Sequence, residues 1–188
     1  MIGHHTRWLA IKGEDPKIVQ IALQLHHPTP CSWAEGLVEA KEDKLFISPP
    51  VSGWILVVGL GLPDPADDVD NFFHFMSRLS RQLGEVQYFN ANRVINHHAW
   101  ILTENGRIYR AYACADTVLW NEGLVTAAEK DLRLRCFDYG TEFDFFTTRD
   151  ILSANCEKVG QLAARWSIDP HTVTRENWDA HGIVGDMS

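Results

Sequence analysis

Basic residues are in short supply. The 188-residue chain sets 17 lysines and arginines against 25 aspartates and glutamates, for a net charge of −8. Such a chain lacks the lysine and arginine surface on which binding to nucleic acid or an anionic membrane rests, and it suits a basic partner. No apolar run approaches the roughly 20 residues that span a bilayer, so no membrane association is expected. The first residues hold no apolar core of the roughly 7–15 residues that a secretory signal needs. Cysteine is sparse. Cys31, Cys114, Cys136 and Cys156 contain no CxxC pair, which argues against a zinc knuckle. Free thiols in a reducing cytoplasm are the expectation. The motifs of common chemistry are missing as well: there is no GxSxG, no HxH and no HExxH. Gly59-Leu60-Gly61 runs on into Leu62-Pro63, unlike either standard phosphate loop. No cofactor is implied. Internal repeats and low-complexity segments are absent too.

What the chain does hold is enough apolar material, 45%, for a core of one domain over residues 1–188. It also holds seven tryptophans, which serve cores and interfaces equally well. The strongest local signal lies within Gly84–Trp120. Asn105-Gly106 sits between two runs rich in aromatic and branched residues and suits a two-residue type I′ turn, whose central residues both need positive φ. An unbroken ladder from that turn sets Glu104 against Arg107, Leu102 against Tyr109, Trp100 against Ala111 and His98 against Ala113. The other face then carries His97, Ala99, Ile101, Ile108, Arg110 and Tyr112.

Around this hairpin the pattern predicts strands near 7–12, 45–48, 54–59 and 85–90, with a short one at 117–120. Asp15-Pro16 opens a helix over 16–26 whose apolar face is Ile18, Ile21, Ala22 and Leu25, closed by His26-His27-Pro28. Residues 28–43 read as loop. Asp67-Asp68 opens the best helix, 68–83, with Gly84 as its stop. Thr126 and Glu129 have capping-box spacing, and a last long helix runs over 150–165. The tail from about 175 to 188 shows no period and reads as loosely held. Strands in groups argue for a single α+β domain with a mainly antiparallel sheet of five or six strands flanked by three or four helices.

Three functional readings compete. The first is a small-molecule-binding protein or hydrolase centred on His97 as general base, with Arg110 and Tyr112 on the same predicted face. It lacks a nucleophile, since Cys114 in a strand reads as a small core residue. The histidine pairs His4-His5, His26-His27 and His97-His98 have the wrong spacing for a metal site, because neighbours in a strand point to opposite faces. In the second reading, residues 162–175, LAARWSIDPHTVTR, resemble the helix-turn-helix motif of bacterial regulators. Ala163 packs the first helix, Ile168 fills the turn, Asp169 caps the second helix, and Thr172, Val173 and Arg175 lie on the recognition helix. The acidic chain and Trp166 speak against it, and nucleic acid is not the expected partner. The third is a protein-binding module. Trp33, Trp120, Trp178, Tyr139, Phe143, Phe145 and Phe146 fall in predicted loops or strand ends. In FDYGTEFDFF the aromatics are interleaved with Asp138, Glu142 and Asp144. Trp120, Asp138, Tyr139, Glu142, Phe143 and Asp144 are therefore the candidate binding residues, suited to a basic protein partner.

The pattern GWxLVxG…LP, LS…GEVQxF and HAW…NGR…RAYA…LW, over roughly residues 45–125, is similar to an uncharacterised family of small cytoplasmic bacterial proteins. In general character such proteins resemble the immunity proteins of bacterial toxin systems. The resemblance implies a cytoplasmic, non-enzymatic partner of a toxin and carries no site residues with it. The expectation is accordingly a cytoplasmic protein-binding module, with enzyme and DNA-binding alternatives behind it.

Overall fold

The structure is a computed structural model and describes residues 5–40, 43–173 and 180–187. Its frame is one open sheet built from β1 (His5–Lys12), β2 (Leu25–Ser32), β3 (Lys44–Ile47), β4 (Trp54–Val58), β5 (Glu85–Asn92), β6 (His97–Glu104), β7 (Arg107–Cys114), β8 (Val118–Glu122) and β9 (His181–Met187). The spatial order is β2-β9-β3-β4-β1-β5-β6-β7-β8, with every neighbouring pair antiparallel. Five α-helices flank it among the described residues: α1 (Pro16–Ala22), α2 (Trp33–Glu39), α3 (Val69–Leu83), α4 (Ala127–Asp131) and α5 (Phe145–Trp166). The class is α+β as the grouped strands predict, but the sheet has nine strands rather than five or six, and the helices number five rather than three or four.

Two cores result, one on each face. Trp8, Phe89, Trp100 and Tyr112 pack on one side with Trp33 of α2 and with Cys156, Val159 and Leu162 of α5. On the other side, Leu9, Ile11, Tyr88, Ile101 and Ala111 meet Val19 of α1 and Phe72, Met76 and Leu79 of α3. A sheet covered on both faces explains why its central strands read as nearly continuous apolar runs. α3 follows its sequence signals closely. The Asp68 side chain caps it by accepting from the Asn71 N–H, and Gly84 ends it with φ +84°.

Four expectations are corrected. The first helix stops at Ala22, and 25–32 is a strand, so His26 and His27 are strand residues rather than a helix end. α1 buries Val19, while Ile18 and Ile21 stand exposed. The 28–43 stretch contains α2, whose capping box pairs Ser32 with Glu35. The tail read as loose contains β9, which pairs with both β2 and β3. There Gly182 is required by close approach, because a Cβ would lie 2.4 Å from the Ile47 carbonyl oxygen and from the Phe46 ring.

The Asn105-Gly106 turn is present with φ +51° and +81°, and Glu104 faces Arg107. The ladder then breaks. Thr103 pairs with Ile108 but Leu102 pairs with Arg110, so Tyr109 is an extra residue. A bulge of one residue moves everything beyond it to the opposite face. Trp100 therefore faces Tyr112, and His98 faces Cys114. His97 does not share a face with Arg110 and Tyr112, and His98 does.

Candidate functional site

Arg110 is the centre of a buried polar network. The bulge turns it into the core beneath α4, where the Arg110 and Glu129 side chains are 1% and 0% exposed. Arg110 Nε donates to Glu129 Oε1 at 2.9 Å and to Oε2 at 3.1 Å. Nη1 donates to the carbonyls of Ala111 and Glu122 and to Asn121 Oδ1, and Nη2 reaches Cys136 Sγ at 3.1 Å. Glu129 Oε1 also accepts from Trp100 Nε1 at 2.8 Å, while Oε2 accepts from the N–H of Thr126 in the capping box that starts α4. Each charge is thus paired and hydrogen-bonded, as a buried ion pair must be.

The surrounding groups are equally occupied. Tyr112 Oη accepts from the Phe137 N–H at 3.2 Å, and burial raises its pKa. Asn121 donates to the Phe137 carbonyl. His98 stacks on Trp100 and on Tyr112, and burial lowers its pKa to about 4. Its Nδ1 lies 2.9 Å from the Asn96 carbonyl and its Nε2 lies 3.4 Å from Asn155 Nδ2. A neutral ring protonated at Nδ1 satisfies both contacts. Burial pushes the thiols of Cys114 and Cys136 up to about 12 and that of Cys156 to about 11, so all three stay protonated at neutral pH. The network joins the sheet to α4, α5 and the 132–137 segment, and it holds no activated nucleophile.

His97 lies apart. On the opposite face of the sheet, its Nε2 sits 3.7 Å from Asp116 Oδ1. The three candidate catalytic residues therefore do not share a face of the sheet. Among the described residues no three histidine, cysteine or acidic side chains gather where they could hold a metal ion. His4 and Trp178 lie outside the described residues, as do the side chains of Phe145 and Phe146.

The helix-turn-helix resemblance fares no better. After α5 the chain makes a 3-10 turn over Pro170–Thr172, and Val173 is already extended, with ψ 122°. An α-helix reading a groove does not start there. Asp169 does cap, accepting from the His171 N–H at 2.9 Å, and Ile168 and Val173 pack against the core. Thr174 and Arg175 lie outside the described residues.

Most of the binding candidates lie along β8, at the end of the sheet order. Residues 138–142 form a turn laid along β8. Gly140 N–H donates to the Val118 carbonyl, Val118 N–H donates to the Thr141 carbonyl, each at 3.0 Å, and Thr117 bridges to Glu142. The Asp138 carbonyl accepts from both the N–H and the hydroxyl of Thr141, and Gly140 supplies φ +74°. Tyr139 rides at the tip, 76% exposed, with Asp138 and Glu142 exposed beside it.

Between this turn and the start of α3 lies an open cleft of about 530 Å³, lined by Asp68, Val69, Asp70, Leu119, Trp120 and Tyr139 among others. Its charged lining residues are Asp68 and Asp70. Trp120 forms the floor and is only 8% exposed. Its ring packs edge-on against Phe72 and Phe73, and its Nε1 donates to Glu122 Oε2 at 3.0 Å. Phe143 points elsewhere, into a second cleft with Val94, Ile95 and Leu152. Asp144 is exposed, and its carbonyl accepts from Thr147 and Thr148 at the start of α5.

So the structure brings Trp120 and Tyr139 together, leaves Asp138 and Glu142 at their margin, and sends Phe143 to another cleft. Asp68 and Asp70 escape a sequence reading because helix opening accounts for both. No family model, no curated protein and no solved structure matches this chain.

Proposed function

We propose that this chain is a non-enzymatic protein-binding module whose partner is a basic protein, such as a toxin neutralised by an immunity protein. The observation that carries this reading is Tyr139. It is a large aromatic, 76% exposed, at the lip of a cleft whose charged lining residues are both aspartates. Aromatics of this kind anchor interfaces, and tyrosine brings area at small entropic cost. The charge of −8 would speed the approach of a basic partner. The satisfied, dry Arg110–Glu129 network speaks against the hydrolase alternative, because a catalytic group must reach its substrate. Four free cysteines, three of them buried, agree with a reducing compartment such as the cytoplasm.

The test is a pull-down from the native cell with wild type, Tyr139→Ala and Asp70→Lys. Wild type should recover a basic protein that high salt releases, and each variant should recover it about tenfold less well. Recovery of no basic protein, or equal recovery by all three chains, would discard the reading.

A further inference from the structure

Asn105-Gly106 is the one place in the chain where an asparagine precedes a glycine. The pair makes the turn between β6 and β7, and that use leaves a chemical liability in place. Asparagine is a thermolabile residue. The main-chain nitrogen of the next residue can attack its side-chain amide carbon, and glycine, which has no Cβ, hinders that attack least. Asn105 is exposed, so water and base reach it.

The fold holds the attacking nitrogen. Gly106 N–H donates to Ser80 Oγ at 3.1 Å. Ser80 lies in the last turn of α3 and is 0% exposed. Its own hydroxyl hydrogen goes to the Ser77 carbonyl at 3.4 Å, which leaves an oxygen lone pair for Gly106. The preceding amide is tied as well, since Asn105 N–H donates to the Gly84 carbonyl at 3.2 Å. Arg81 packs over the glycine, with its Nε 3.0 Å from where a Cβ would stand. Both central amides of the turn thus end at the C-terminal end of one helix. Turn chemistry does not ask for this, because a type I′ turn needs positive φ at its two central residues and no helix.

We propose that Asn105 is a site of spontaneous modification in this protein and that Ser80 restrains it, the hydrogen bond from Gly106 keeping ring closure slow until the β6–β7 turn lifts off α3. Closure forms the bond from the Gly106 nitrogen to Asn105 Cγ and breaks the bond from Cγ to Nδ2. The Gly106 proton leaves with the amide group as ammonia. Water then opens the succinimide at either carbonyl and gives aspartate or isoaspartate at position 105. The nitrogen must lose its proton and turn toward Cγ, and the bond to Ser80 opposes both, because a hydrogen bond to the neutral form favours that form. The two products differ in what they do to the fold. Aspartate before glycine still suits a type I′ turn. Isoaspartate carries the main chain through the former side chain and adds a carbon to it, so the two-residue loop that sets Glu104 against Arg107 is lost. The inference is independent of the partner-binding reading.

The experiment incubates the folded chain and the urea-unfolded chain side by side in warm, mildly alkaline buffer. The peptide that holds residue 105 is followed by mass spectrometry, after chromatography that separates aspartate from isoaspartate. The unfolded chain should convert at least about tenfold faster than the folded one. Folded Ser80→Ala should convert about fivefold faster than folded wild type, the factor that one hydrogen bond of ordinary strength is worth. Hydrogen exchange on β1 and β5 of that variant must stay slow, so that loss of the restraint is separated from loss of the fold. In wild type the Gly106 amide should itself exchange at least about tenfold more slowly than in the unfolded chain. Should Ser80→Ala fail to fold, the wild-type amide decides. Equal conversion of folded and unfolded chains, a Gly106 amide exchanging at the unfolded rate, or a folded Ser80→Ala no faster than wild type overturns the restraint. Conversion of another asparagine ahead of Asn105 overturns the site.

Discussion

Glu129 shows how much one side chain can decide. It starts α4 through its capping box, neutralises Arg110 and accepts the indole proton of Trp100. Glu129→Gln leaves the Arg110 charge uncompensated in a dry site and puts an amide donor among donors. It should cost about 3–5 kcal/mol, read as a lower urea midpoint with an unchanged slope. His98 predicts a pH effect. Its folded pKa of about 4 lies below the unfolded value of roughly 6.5, so only the unfolded chain takes up the proton between those limits. Its share of the stability is therefore intact above about pH 6.5 and falls by roughly 3 kcal/mol as the pH drops to 4. His5, lowered by burial and by Arg7, adds in the same direction. Urea midpoints measured from pH 7 to pH 4 should decline for wild type and decline less for His98→Gln. Equal slopes would refute the assignment.

At the scale of elements, legibility followed the range of the signal. Asn105-Gly106, the Asp68 cap with Gly84, and Thr126 with Glu129 each act within a few residues, and each could be read from the sequence. Ser32 and Glu35 carry the same capping signature, hidden among the prolines that precede them. The Tyr109 bulge has no local signature, and the partner that Arg110 meets beyond it, Glu129, lies on a helix 19 residues further on. β9 was illegible for the same reason. HGIVGDM has two glycines and little strand propensity, and both glycines answer to neighbours far away in sequence, Ile47 and Phe46 at Gly182, and His26 and Leu25 at Gly185. Gly182→Val should therefore expel the strand and unpair both of its neighbours. Hydrogen exchange should then show β2 and β3 losing protection while β5 and β6 keep theirs. Of the candidate site, Tyr139 was visible as an aromatic beside a glycine turn, whereas Asp68 and Asp70 line its cleft only through tertiary packing.

For the molecule as a whole, the acidic balance predicts that association with a basic partner depends on ionic strength chiefly through the on-rate. Stopped-flow association should slow steeply with added salt while dissociation changes little. The reverse pattern would mean that the apolar contacts dominate. The sheet order also has a temporal side. Among the described residues β2 pairs with a single strand, β9, whose first residue is made about 150 residues after β2 ends. At roughly 5–20 residues per second, the ribosome leaves β2 waiting about 8–30 s for that strand. Pro28 and Pro30 withhold two backbone donors from any other strand that meets it in that interval. The same prolines that obscured the strand in the sequence thus guard the nascent chain against pairing with its neighbours on a polysome.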